Sequence, residues 1–164
     1  MSVNRYQPHV FVLPEDDANR QLANGFLLDQ GLSPRSIQIL VERRGWIELL
    51  DHFNSDEVGG MERYPGRFMV LLMDFDGRER RLNAAKARIP PSVEDRVFVL
   101  GVLTEPEALR RELGSYESIG LGLARDCREG TETIWGHALL RHNASELGRL
   151  RESVTSILFP PGRM

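Results

Sequence analysis

This sequence predicts an α/β fold with a mainly parallel four-stranded sheet, flanking helices and a C-terminal helical extension. Three observations predict it. Four short apolar runs, "HVFVLP", "SIQILV", "RFMVLL" and "RVFVLGVL", are separated by segments with helical spacing. Most of the runs are continuous rather than alternating, as strands buried on both faces must be. Residues 115–158 have no convincing strand pattern but carry two helical ones. The division expected is an α/β core over 1–113 and a helical extension over 114–164, packed on that core.

In chain order, His9–Asp17 ("HVFVLPEDD") reads as a first strand ending in acids, with Asp16 or Asp17 available to cap the first helix. "ANRQLANGFLLDQ" places Leu22, Phe26 and Leu27 close to helical spacing and stops at Gly31–Pro34. "SIQILVERRG" is rich in branched residues and predicts the second strand. "WIELLDHFNSDEV" puts Trp46, Ile47, Leu49, Leu50 and Phe53 on a helix, and "GGMERYPG" reads as a loop. "RFMVLLMDFD" is the third and most apolar strand, followed by a short basic helix, "GRERRLNAAKARI", that "PPS" ends. "DRVFVLGVL" is the fourth strand. After it Thr104 can cap a helix carrying Pro106 in its first turn. Helices over about 116–128 and 144–158 complete the chain, with Asn143 or Ser145 as a cap for the second.

Composition narrows the function classes. The chain has 164 residues, 41% hydrophobic and 27% charged, with a net charge of −3. That is the balance of an ordinary globular protein, and no segment approaches the ~18 consecutive apolar residues of a membrane span. A single cysteine, Cys127, allows no internal disulfide and leaves His137 and His142 without a second thiol for zinc. Together with an N-terminus that lacks a signal-peptide layout, it predicts a cytoplasmic protein. Twenty of the 21 basic residues are arginine, which offers planar phosphate contacts. The acidic balance still argues against tight nucleic-acid binding by charge alone, so a polyanion needs a local arginine cluster or a bound cation.

Acids stand at the ends of three strands: Glu15-Asp16-Asp17, Asp74-Phe75-Asp76 and Glu105-Pro106-Glu107. Parallel strands send their carboxyl ends to one edge, where open α/β sheets bind ligands. In an extended segment Asp74 and Asp76 point to the same side, about 6–7 Å apart, and Gly77 lets the chain turn away. Such carboxylates raise one another's pKa unless a hard divalent cation, Mg²⁺ or Mn²⁺, neutralises them. Each acid also has a plainer role in capping a strand end or opening a helix.

A glutamate after the first strand and Asp-x-Asp after a later central strand resemble the Toprim domain, the Rossmann-like fold of topoisomerases, bacterial primases and nucleases of the overcoming-lysogenization-defect type. The resemblance spans about 9–113. It implies an acid/base role for Glu15 and Mg²⁺ coordination by Asp74 and Asp76, with Glu107 as a further ligand. Asp16 and Asp17 stand where the family often has a glycine, which makes Asp16 another candidate ligand. The implied activity is metal-dependent phosphoryl transfer, as in a nuclease acting on DNA or RNA, with a separate ATPase or other protein as a possible partner. Arg20, one turn into the first helix, is a candidate for phosphate contact, and Arg78, Arg80 and Arg81 form the nearest basic cluster.

Two alternatives stand beside it. One is a non-catalytic interaction module, suggested by the apolar stripe Leu147, Leu150, Val154, Ile157 and Leu158. The other is a receiver-like phospho-acceptor, with Asp16 and Asp17 on Mg²⁺, Asp74 as acceptor and Thr104 ending strand four. The one lysine, Lys86, precedes that strand, whereas receivers place theirs after a fifth.

Overall fold

The computed structural model describes residues 2–162. Four parallel strands, β1 (His9–Pro14), β2 (Ile37–Ile39), β3 (Arg67–Leu72) and β4 (Val97–Leu100), lie in the order β2-β1-β3-β4. Val12 pairs with Ile39 on one side and Val70 on the other, and Leu72 pairs with Leu100. The path steps from β1 to β2, then back across β1 to β3 and on to β4. Helix α1 (Asp17–Phe26) makes the first crossing on one face. Helices α2 (Trp46–His52), α3 (Val58–Arg63) and α4 (Arg80–Lys86) make the others on the opposite face. The face changes when the direction changes, as crossovers of constant hand require.

Strand residues alternate between two cores. Phe11, Leu13, Met69, Leu71, Val97 and Val99 pack with Leu49, Leu50, Phe53, Met61 and Ala85. Val10, Val12, Val70, Phe98 and Leu100 pack with α1, α5 (Pro106–Leu113), α6 (Tyr116–Glu129) and α7 (Ala144–Leu158). The segment beyond residue 113 therefore shares a core with α1, and its stripe Leu147, Leu150, Val154 and Leu158 faces inward. Helices α1 and α6 meet at Gly25 and Gly120. A Cβ on Gly120 would stand 2.1 Å from the Leu22 carbonyl oxygen.

Several local expectations are corrected. "GGMERYPG" is not a loop throughout, because a π-helical turn (Phe53–Glu57) carries α2 directly into α3 and Val58 and Met61 are buried. Strand β2 keeps three residues of the ten expected. Glu105, not Thr104, occupies the N-cap of α5, with Pro106 in its first turn. Asn143 stands at the α7 N-cap without capping it by its side chain. Its amide instead accepts from Gly101 N–H at 3.1 Å and donates to Gly101 C=O at 2.9 Å.

That contact belongs to a series. One turn on, Glu146 accepts the Val99 N–H at 3.1 Å, and Arg149 donates to the Val97 carbonyl at 3.3 Å. Three side chains spaced three residues apart on and just before α7 thus satisfy alternate backbone groups along the outer side of β4, where a fifth strand would otherwise pair. Buried Glu146 also pairs with Lys86 at 3.0 Å, linking α7 to α4 around that edge.

Candidate metal centre at the carboxyl edge of the sheet

Strand order reverses between β1 and β3, so the crevice outside their carboxyl ends is where this topology favours a ligand. Three acids meet there. Glu15 continues β1, its N–H bonded to Leu72 C=O at 2.8 Å, and its Oε2 accepts the Asp74 N–H at 3.2 Å. Asp16 caps α1, Oδ1 accepting the Asn19 N–H at 3.0 Å. Asp74 follows β3. One carboxylate oxygen from each of Glu15, Asp16 and Asp74 lies within 4.8 Å of the others.

Asn19 ties the group together. Its Nδ2 donates to Asp16 Oδ1 and to Asp74 Oδ1, both at 2.9 Å. The residue is fully buried, and its Oδ1 has no hydrogen-bond partner. A buried amide oxygen left alone costs about 1–3 kcal/mol. The same geometry with the amide turned over presents that oxygen to the carboxylates, a contact that a cation between them, or a proton on Asp74, makes favourable. Three carboxylate oxygens, with the Asn19 oxygen as a fourth once turned, are a hard donor set that could hold a Mg²⁺ or Mn²⁺ ion.

The other candidates stand apart from this cluster. Asp76 does not lie beside Asp74: its backbone is left-handed (φ +52°), which ends the extended geometry on which the i, i+2 expectation rested. Its side chain is 75% exposed and 3.8 Å from Arg81. Glu107 sits in the first turn of α5, where its charge acts on the Tyr116 hydroxyl. Arg20 is held by Asp17, through a bond from Nε at 3.0 Å, and lies 3.6 Å from Glu42. Arg78 and Arg80 are exposed. Arg81 alone turns inward, donating to the Asp74 carbonyl at 3.1 Å and stacking on Trp46 at 4.7 Å. Thr104 Oγ1, four residues beyond β4, is buried without a partner.

Sequence reasoning missed Asn19. One signal was available, since a polar residue sits on the buried stripe of α1 with Leu22 and Ala23.

No protein-family model, curated protein or solved structure matches this chain. Its chemistry therefore rests on the crevice itself. Burial pushes the Asp74 carboxyl up to about 8, with the Glu15 and Asp16 charges adding to it and the Asn19 bond opposing. Burial raises Glu15 as well, against the Asp74 N–H bond. Asp74 is thus easier to protonate folded than unfolded, so its contribution is full below about pH 4 and is lost as pH rises through about 8. The chelated protein should lose about 2–3 kcal/mol of stability between pH 5 and 8, a figure reduced for partial exposure. Urea titrations at several pH values measure this slope. An unchanged slope in Asp74→Asn would assign it to other groups.

Proposed function

We propose that Glu15, Asp16 and Asp74, with the Asn19 carboxamide, hold a divalent cation, Mg²⁺ or Mn²⁺, and that the protein is a metal-dependent phosphoryl-transfer enzyme of the nuclease class. The observation that carries this reading is the convergence of three carboxylate oxygens within 4.8 Å at the β1/β3 switch point. Such an ion supplies Lewis-acid stabilisation of charge on a phosphate. In the metal-free crevice burial raises the Glu15 carboxyl, so it is suited to hold a proton there and to release it as the cation binds. Arg81, the inward guanidinium, is the group placed to meet phosphate oxygens. Of the residues the Toprim resemblance implied, Glu15 and Asp74 support this reading and Asp76 does not. The cytoplasm suits a chain whose one thiol, on Cys127, is buried and free. Among the described residues no helix is long and apolar enough to cross a membrane.

A second reading is favoured by the position of Asp76. With that residue outside, one aspartate after β3 faces two acids after β1, and Thr104 lies in the segment after β4, close to the layout of a phospho-acceptor domain. Lys86 is engaged with Glu146 and does not complete it.

The test is thermal unfolding with and without Mg²⁺ or Mn²⁺, beside cleavage assays on single- and double-stranded DNA and RNA. Saturating metal should raise the wild-type Tm by about 5–10 °C, the effect of 100-fold excess over Kd in a chain this size. Glu15→Gln should lose most of the shift. An equal shift in both proteins removes the metal site. Metal binding without cleavage, but with transfer of a phosphoryl group from an acyl phosphate to Asp74, selects the second reading.

A further inference from the structure

At the other end of the sheet, near the amino ends of β1 and β3, a cavity of about 480 Å³ is lined by Arg5, Arg63 and Arg67 around Tyr64. Arg67, the first residue of β3, is only 9% exposed. Its guanidinium lies between the Phe11 ring, 4.1 Å from the centroid, and the Tyr64 ring, at 4.9 Å. Arg63 and Arg5 stand 5.6 and 5.8 Å from the same Tyr64 centroid. Three like charges therefore crowd one ring. Among the described residues no carboxylate lies within ion-pair distance of any of them. Glu57 acts on Arg67 only from farther off and is itself 3.0 Å from His52.

The buried arginine is oriented by its neighbours. His9 Nδ1 lies 2.8 Å from the Gln7 carbonyl, which only accepts, so that nitrogen carries the ring proton. Nε2 is then the acceptor for Arg67 Nε–H at 2.9 Å. That bond uses the one donor pointing away from the fork and leaves both amino groups without an acceptor among the described residues. Gly60 makes room for one of them, since a Cβ there would stand 2.6 Å from Nη1. A planar fork that is held in place, partly buried, without a carboxylate partner and open to the cavity suits bidentate recognition of an oxyanion. Three charges suit a dianion better than a carboxylate. The cavity has the size of a small-molecule site.

We propose that this pocket binds the phosphate group of a small phosphorylated molecule, with Arg67 as the buried bidentate contact and Arg5 and Arg63 closing on the remaining oxygens. The site is independent of the acidic crevice, and it can be tested in EDTA, where a cation-bridged phosphate contributes nothing. Isothermal titration with inorganic phosphate should give saturable binding with Kd of about 1 mM or tighter. The Arg5→Gln/Arg63→Gln variant, which changes two side chains at the pocket's rim, should bind at least about tenfold more weakly. Arg111→Gln/Arg125→Gln, an equal charge change at exposed positions elsewhere, should bind as wild type. Absence of saturable binding overturns the proposal, as does an equal loss in both double variants. Binding of a single-stranded oligonucleotide that needs Arg5 and Arg63, without binding of phosphate, would overturn the small-molecule assignment.

Discussion

Asp74→Asn is expected to make the metal-free protein more stable at pH 8 while removing its response to divalent cations. At that pH the wild-type crevice holds Glu15 and Asp16 next to a carboxyl whose ionisation burial resists. Asparagine keeps the volume, still accepts from Asn19 Nδ2 and adds a donor facing the acids, so it relieves repulsion without leaving a hole. The gain should be about 1–2 kcal/mol, or a Tm higher by about 3–6 °C in EDTA. In Mg²⁺ the order should reverse if the proposed site binds the ion, because only the wild type then gains binding energy. Differential scanning fluorimetry in EDTA and in Mg²⁺ reads both signs in one experiment. A variant less stable than wild type in both buffers would make Asp74 a structural residue rather than a ligand.

The second large effect lies in the backbone that presents Asp74. Gly101 directly follows β4, and a Cβ on it would fall 1.6 Å from the Met73 carbonyl oxygen. No rotamer relieves a clash with backbone. The two chains are held there by Met73 N–H to Leu100 C=O at 2.9 Å and Phe75 N–H to Val102 C=O at 3.1 Å, with the Asn143 amide clamped on the far side. Gly101→Ala should therefore cost at least about 4 kcal/mol, a loss that leaves little folded protein. Gly148→Ala is the matched comparison. That glycine lies inside α7 with nothing near its missing Cβ, and alanine should stabilise it by about 0.5–1 kcal/mol. Urea midpoints of the two variants should move in opposite directions. A Gly101→Ala midpoint equal to wild type would mean that the two segments separate without loss.

Much of the architecture was legible because burial on two faces writes itself as continuous apolar runs. β1, β3 and β4 are such runs, and their acidic ends converge because the topology is parallel. β2 was overestimated because a branched, half-apolar run does not say how long its neighbour stays beside it. The helix over Val58–Arg63 was hidden by Gly59 and Gly60, residues that lower helix propensity but here sit where packing decides. In the crevice, Glu15 and Asp74 were readable from their places after the strands. Asp76 was not, because one left-handed residue reverses the side to which a chain points, and spacing alone cannot register a φ angle. Arg81 was readable only as one of a basic cluster, and Asn19 only as a polar residue on a buried stripe, because their partner Asp74 lies seven and 55 residues away.

The row of Asn143, Glu146 and Arg149 along β4 has a consequence for how this protein meets copies of itself. An open strand edge is a template that recruits further strands and seeds aggregation. Here that template is masked by a charged, partly buried helix, so sheet growth from the β4 side requires α7 to peel away first. The opposite margin offers only the three residues of β2, too short a seam to propagate a stacked ribbon. Resistance to self-templated assembly on the β4 side is thus a property of the last helix, whose apolar stripe also ties it into the core.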